Sequence, residues 1–174
     1  MRWVDKSFEQ LTVHELYAIL ALRQRVFAVE QCCPYLDADG LDPDCHHLWA
    51  ETSAGDPGAD GAGGSDSVRA TPGGGSIIAY LRVVPSLRRF PEVSIGRVVT
   101  APEARGTGLG RELMRRGLLL VRSLAGPVQI RIGAQARLQR FYEEFGFARA
   151  SANYDEDGIP HLEMLRTAPA AGVE

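Results

Sequence analysis

The apolar and polar positions divide the chain into alternating strand-like and helix-like segments. Residues 1 to 7 suit a short edge strand. Thr12-Val13-His14-Glu15 then matches a capping box, in which hydroxyl and carboxylate satisfy two orphan backbone amides reciprocally. Leu16, Ile19, Leu20, Arg23, Val26 and Phe27 follow at helical spacing, so a helix turns a mostly apolar stripe to a core and ends near Gln31, before Pro34. An acidic loop, Asp37 to Asp44, leads to a strand at His47 to Glu51. Ile77 to Val84 and Val93 to Thr100 are rich in β-branched residues and bounded by Pro85, Pro91 and Pro102, which predicts two strands joined by a turn. Helical spacing returns in Leu113, Met114, Gly117, Leu120, Val121 and Leu124, closed by Gly126-Pro127. Val128 to Ile132 reads as a short buried strand and Gln135 to Phe145 as a helix, with Gly146 as its left-handed cap. Two last strands flank the turn at Asp155 to Pro160.

This order predicts an α/β chain, a mixed sheet with helices packed on it. A length of 174 residues suits one domain. Residues 52–76 and 168–174 stand apart: the first stretch is Gly-, Ala-, Asp- and Ser-rich, too poor in apolar residues to pack, and reads as a mobile insertion between two strands. The second reads as a flexible tail, which leaves 1–167 as the domain.

Composition narrows the function classes. Hydrophobic residues make up 45% and charged residues 24%, an ordinary globular balance. A formal charge of -3 lacks the basic excess by which nucleic-acid binders capture phosphates, so nucleic acid is not an expected partner. No apolar run is long enough to span a bilayer or to act as a signal peptide, so the expectation is a cytoplasmic protein without a membrane partner. Cys32, Cys33 and Cys45 form a small odd set, in keeping with free thiols.

The segment with the most chemical content is Arg105-Gly106-Thr107-Gly108-Leu109-Gly110, which follows a strand and opens an amphipathic helix. A helix N-terminus presents unpaired amides and the positive end of the macrodipole, and glycines let a phosphate approach the backbone closely. Such a loop is an anion cradle. A Walker loop requires Gly-Lys-Ser/Thr at its end, yet Gly110 is followed by Arg111-Glu112; a dinucleotide loop requires G-x-G-x-x-G, and neither Gly106 nor Gly108 begins one. Arg-x-x-Gly-x-Gly remains, with an ordinary glycine-rich turn as the plain alternative.

That loop resembles the pyrophosphate loop of the GNAT superfamily of N-acetyltransferases, and Gln135 to Phe147, with Phe141-Tyr142 and Gly146-Phe147, resembles its second hallmark. Across nearly the whole chain the likeness narrows to the ElaA-type subfamily, through Val29-Glu30-Gln31, Pro34-Tyr35, Asp37-Ala38-Asp39-Gly40, Ile95-Gly96-Arg97-Val98, Gly133-Ala134-Gln135 and Glu156 to His161. The insertion at 52–76, and Gln135 where many such enzymes place Asn, depart from the pattern. The resemblance implies a central, mostly antiparallel sheet of about six to seven strands flanked by about four helices. It also implies an acetyltransferase that uses acetyl-CoA, a small-molecule or peptide amine as acceptor, and room for a homodimer.

It further implies roles. Val98, Val99 and Thr100 would offer backbone amides to the thioester and the pantetheine arm. Gly106, Thr107, Gly108, Leu109 and Gly110, with Arg105 and Arg111, would bind the phosphates, and Gln135 would contact the cofactor. Tyr142 would protonate the departing thiolate, with a packed core aromatic as the alternative. Glu30 and His161 are candidates for the acceptor site or the general base. Asp37, Asp39, Asp155, Glu156 and Asp157 would favour a cationic amine unless they are simply solvated turn residues. Cys32, Cys33, Cys45, His46 and His47 lack the ligand spacing of structural zinc sites, and no metal is expected. A non-catalytic acyl-CoA-binding module on the same fold is the competing reading.

Overall fold

The computed structural model describes residues 1–53 and 75–168; the expected insertion and tail fall almost wholly outside them. Strands β1 (Arg2–Ser7), β2 (His46–Glu51), β3 (Ile77–Val84), β4 (Val93–Thr100), β5 (Ile130–Gln135), β6 (Ala148–Arg149), β7 (Tyr154–Glu156) and β8 (Ile159–Arg166) share one sheet. Its order is β1-β2-β3-β4-β5-β8-β6, with β7 also paired to β8. All pairings are antiparallel except β4 with β5. The α-helices are α1 (Val13–Gln24), α2 (Leu109–Ala125) and α3 (Gln139–Glu143). The one strand beyond the expected range, β6, is only two residues long, too short to leave an alternating pattern in the sequence.

Thr12 caps α1 as the sequence predicts: its hydroxyl accepts from the Glu15 amide, and the Glu15 carboxylate accepts from the Thr12 amide at 2.9 Å. The helix continues from Arg25 to Glu30 in wider turns, where the Gln31 amide bonds the Val26 carbonyl five residues back. Such widening recurs where a helix end is bent toward a functional site.

Alternate residues of each strand point to opposite faces, so the sheet supports two cores. Leu48, Leu81, Ile95, Leu113, Met114, Ile132 and Met164 form the core beneath α2, while Ile19, Leu22, Trp49, Tyr80 and Val99 form the other beneath α1. Burial of each large side chain contributes about 1.5–3 kcal/mol. Helix α2 lies close enough to β3 that a Cβ at Gly117 would sit 2.6 Å from Leu81 Cδ2, which explains a glycine within an apolar helix stripe.

Two boundaries differ from the sequence reading. Strand β5 begins at Ile130 and runs to Gln135, because Gln135 pairs with His161 of β8. The expected helix at Gln135 is therefore shortened to a single 3₁₀ turn, Ala136–Leu138, followed by α3, and Gly146 closes it with φ of 81°. Among the described residues no helix is long and apolar enough to cross a membrane.

Strands β2 and β3 are antiparallel neighbours, and the Thr52 amide bonds the Ser76 carbonyl at 3.0 Å, so the ladder closes before residue 54 is reached. Excising residues 54–74 and joining the ends by a short Gly-containing turn should keep the thermal midpoint within a few degrees, since halving a loop changes closure entropy by only about 0.6 kcal/mol. A melting curve of that variant decides it; a collapse of the midpoint by more than about 10 °C would show that the segment packs on the domain.

Candidate active site

Strands β4 and β5 run parallel but pair only at Val93 with Ile130 and Ser94 with Arg131, after which they separate. Within β4, Tyr80 pairs with Val99 and Arg82 with Gly96, so Arg97 and Val98 together oppose the single Leu81. This is a β-bulge, with Arg97 at φ of 52°, and it re-aims the far half of β4 and leaves backbone groups without rungs. A cavity of about 670 Å³ fills the opening between the strands. It is lined by Ser94 to Thr100 of β4, by Gly133, Gln135 and His161 of β5 and β8, and by Glu30, Gln31, Cys33 and Tyr35.

The glycine loop sits at the end of β4. An added Cβ at Gly110 would lie 3.8 Å from Thr100 Cγ2 and 4.0 Å from Phe141 Cζ, so the first turn of α2 is seated between β4 and α3. Gly106 and Gly108 take φ of 77° and 85°, which a side chain would strain, and nothing lies within 4 Å of a Cβ built on either. The α2 amides at Leu109 and Gly110 belong to the first turn and have no intrahelical acceptor. Of the loop residues only Arg105 reaches the cavity wall; Gly106, Thr107, Gly108, Leu109, Gly110 and Arg111 form a separate shelf beside it.

Both arginines of the loop are paired within the chain. Arg105 holds Glu30 through two bonds of 2.7 and 2.8 Å, and Arg111 holds Glu144 through two of 2.8 and 3.1 Å. All four side chains are 39–52% exposed, and such surface pairs contribute only about 0–1 kcal/mol, so a phosphate can replace the carboxylate at little cost. The Arg105 hydrogen bond, ahead of the opposing desolvation, holds the Glu30 carboxyl below its ordinary pKa, which weakens it as a proton acceptor.

Tyr142 lines the cavity from α3 and is 7% exposed. Burial raises its pKa to about 12, so the phenol keeps its proton throughout the neutral range. Its ring packs edge-on against Phe141 and Phe147, so the residue is part of the core as well as of the cavity wall. His161 also lines the cavity, with Nδ1 2.8 Å from the Ile159 carbonyl. A carbonyl only accepts, so in the neutral ring Nδ1 carries the proton and Nε2 keeps a lone pair. Gln135 also lines the cavity, but its amide donates to Gln31 Oε1 at 2.9 Å and accepts from Arg137 at 3.0 Å, which ties β5 to the end of the widened helix.

Asp37 is buried, and both Asp37 and Asp39 are engaged by arginines. Asp37 and Asp42 bond Arg23, Asp39 and Asp42 bond Arg82, and Asp37 and Asp39 bond Arg97. Arg23 and Arg82 are fully buried beneath the loop, and Arg97 lies over the Tyr35 ring at 5.3 Å. Of the acidic residues expected around the acceptor, Glu30, Asp39, Glu156 and Asp157 reach the cavity. Cys45 donates its thiol to the Leu41 carbonyl, and His47 is held between the Tyr80 hydroxyl and the Asp42 carbonyl. Ser94, Gly96 and Arg82 in the cavity wall carry no sequence motif for chemistry. The one available signal was a charged Arg82 inside an otherwise apolar strand, where a buried charge requires a partner.

Comparison with known proteins agrees with this geometry. Residues 73–168 match the Acetyltransferase (GNAT) domain family. The chain is 35% identical to protein ElaA of Escherichia coli over 95% of its own length and 96% of that protein's. It is also 35% identical to a UPF0039 protein of Synechocystis over 99% of both chains. Among solved structures, an acyl-CoA N-acyltransferase from Pseudomonas aeruginosa superposes with a TM-score of 0.79 at 39% identity, covering 96% of this chain and 100% of that one. Escherichia coli ElaA superposes with a TM-score of 0.76, covering 95% and 98%. The family match, together with relatives 35% identical along nearly the full length of both chains, means that the chain belongs to the GNAT acetyltransferase family, with the ElaA-type proteins.

Proposed function

We propose that this enzyme moves an acetyl group from acetyl-CoA directly to a primary amine within a ternary complex. The observation that carries the reading is the parting of β4 from β5 next to the glycine-loop N-terminus of α2, with Tyr142 and His161 both lining the cavity. Acetyl-CoA supplies an activated thioester carbonyl. The shelf from Gly106 to Gly110 receives its phosphates on first-turn amides, while Arg105 and Arg111 exchange Glu30 and Glu144 for phosphate oxygens. Backbone groups of Val98, Val99 and Thr100 bind the arm and donate to the developing oxyanion. His161 Nε2 takes a proton from the acceptor's ammonium, and the neutral amine so formed attacks the thioester carbonyl; as the C–N bond replaces the C–S bond, Tyr142 gives its proton to the leaving thiolate and the excess proton on the new amide nitrogen restores the phenol. Before the cofactor binds, Glu30 keeps Arg105 at the cavity mouth, and Gln135 ties β5 to Gln31.

The reading takes residues 1–167 as one catalytic domain with a cytoplasmic location, in keeping with three unpaired cysteines. Incubation with acetyl-CoA and a panel of primary amines should release free thiol in an amine-dependent manner, whereas a non-catalytic acyl-CoA-binding module would release none. In calorimetry, coenzyme A should bind at least tenfold more tightly than ATP, because β4 reads the arm as well as the phosphates. Equal affinity would falsify that assignment.

A further inference from the structure

The imidazole of His161 is anchored by hydrogen bonding at one point only. Its Nδ1 lies 2.8 Å from the Ile159 carbonyl, while Glu156 Oε2 stands 4.0 Å from the same nitrogen, beyond hydrogen-bond reach. One such bond sets the tautomer but leaves the ring free to swing about it, and Nε2 lies across the ring from that anchor. A proton acceptor needs a second contact to hold it in place.

Among the described residues one aromatic ring contacts His161. Tyr154 stacks on it, with ring centroids 6.0 Å apart and planes 27° from parallel. The pairing of β7 with β8 makes this contact, because it sets Tyr154 directly opposite His161. The phenol extends past β8 to β5: a Cβ built on Gly133 would lie 3.1 Å from Tyr154 Oη and 3.4 Å from Arg89 Nη2. Gly133 thus leaves the space in which the phenol lies, and Arg89, ion-paired with Glu156 at 3.5 Å, borders it.

Tyr154 is 36% exposed and the His161 side chain 14%, so the tyrosine is the outer partner of the pair. Gly133, Glu156 and His161 line the cavity, whereas Tyr154 does not. Any influence of Tyr154 on a molecule in the cavity therefore passes through a neighbour.

We infer that Tyr154 is a positioning residue for the transfer: its ring, lying in the space that Gly133 leaves, holds the His161 imidazole in the orientation from which Nε2 takes the acceptor's proton. This rests on the reading of His161 as the base. Tyr154→Ala removes the ring, and Tyr154→Phe keeps it without the hydroxyl. With acetyl-CoA and the most active amine of the panel, Tyr154→Ala should lower kcat by roughly tenfold or more, since misplacing a catalytic group by about 1 Å can cost as much as a hundredfold. Tyr154→Phe should keep kcat within about twofold of wild type, and KM for acetyl-CoA should stay within about twofold in both. On the residual turnover of His161→Gln, Tyr154→Ala should cost nothing further, because the two residues act as one unit.

A second readout does not depend on turnover. The chain has four histidines, and the NMR signals of the His161 ring protons are identified by their loss in His161→Gln. They should move in Tyr154→Ala and stay nearly in place in Tyr154→Phe, since an aromatic ring stacked nearby displaces them. A kcat untouched by Tyr154→Ala, an equal loss in Tyr154→Phe, a further loss on top of His161→Gln, or His161 signals indifferent to Tyr154→Ala each overturns the inference. Wild-type kcat in His161→Gln sinks the reading of His161 as the base instead. A wild type that releases no thiol with any amine, yet whose His161 signals move in Tyr154→Ala, sinks the transferase reading and the positioning role with it, while the contact stands.

Discussion

Replacing Tyr142 with Phe should lower kcat by roughly 10² to 10⁴ while coenzyme A affinity changes less than about threefold. The range is what loss of one positioned general acid typically removes. Phe keeps the ring, and with it the edge-on contacts to Phe141 and Phe147, so the thermal midpoint should hold. Only the hydroxyl at the cavity wall is lost. Because burial raises this phenol to about pKa 12, the wild-type rate should show no basic limb from Tyr142 below about pH 11. A kcat within a few-fold of wild type, measured where the chemical step limits turnover, would return Tyr142 to a purely packing role.

The second large effect is on stability. Arg23→Met should destabilise the fold by about 3–5 kcal/mol, because it strips one cation from two buried carboxylates that stay behind. For a domain of this size that corresponds to a fall in Tm of roughly 6–20 °C. The same network gives the wild type a signature in acid. The pKa of Asp42 is lowered, and that of Asp39 is lowered to about 2, with burial opposing the Arg23 and Arg82 contacts that win. A depressed folded-state pKa stabilises the fold above the unfolded value near 4 and loses that contribution as pH falls toward about 2. Melting curves from pH 5 to 2 on both proteins test this, and an Arg23→Met midpoint within about 2 °C of wild type would show that the pairs are not structural.

Much of the frame was legible from residue order. Proline-bounded β-branched runs located β3 and β4 to the residue, Thr12 and Glu15 located the start of α1, and the glycines at 106, 108 and 110 located the start of α2. These are local signals, fixed by propensity and capping. What could not be read were features made by partners distant in the chain. The strand end at Gln135 depends on His161, and the bulge at Arg97 depends on the register of β3. The acidic loop read as turn chemistry because its three arginines come from positions 14 to 60 residues away. Arg23 did carry a hint, as a charged residue inside an apolar helix stripe, but a stripe alone does not name the anion.

The parting of β4 and β5 has a consequence beyond chemistry. The sheet consists of two antiparallel halves, β1 to β4 and β5 to β8, stitched together by two residue pairs. A cofactor lodged between those halves holds both, so its binding free energy adds to the free energy of folding. By mass action, ligand at a hundred times its dissociation constant contributes about 2.7 kcal/mol of folding stability. On the proposed reading, acetyl-CoA is then as much a part of the folded architecture as either core, and the abundance of the protein in a cell would follow the supply of its cosubstrate.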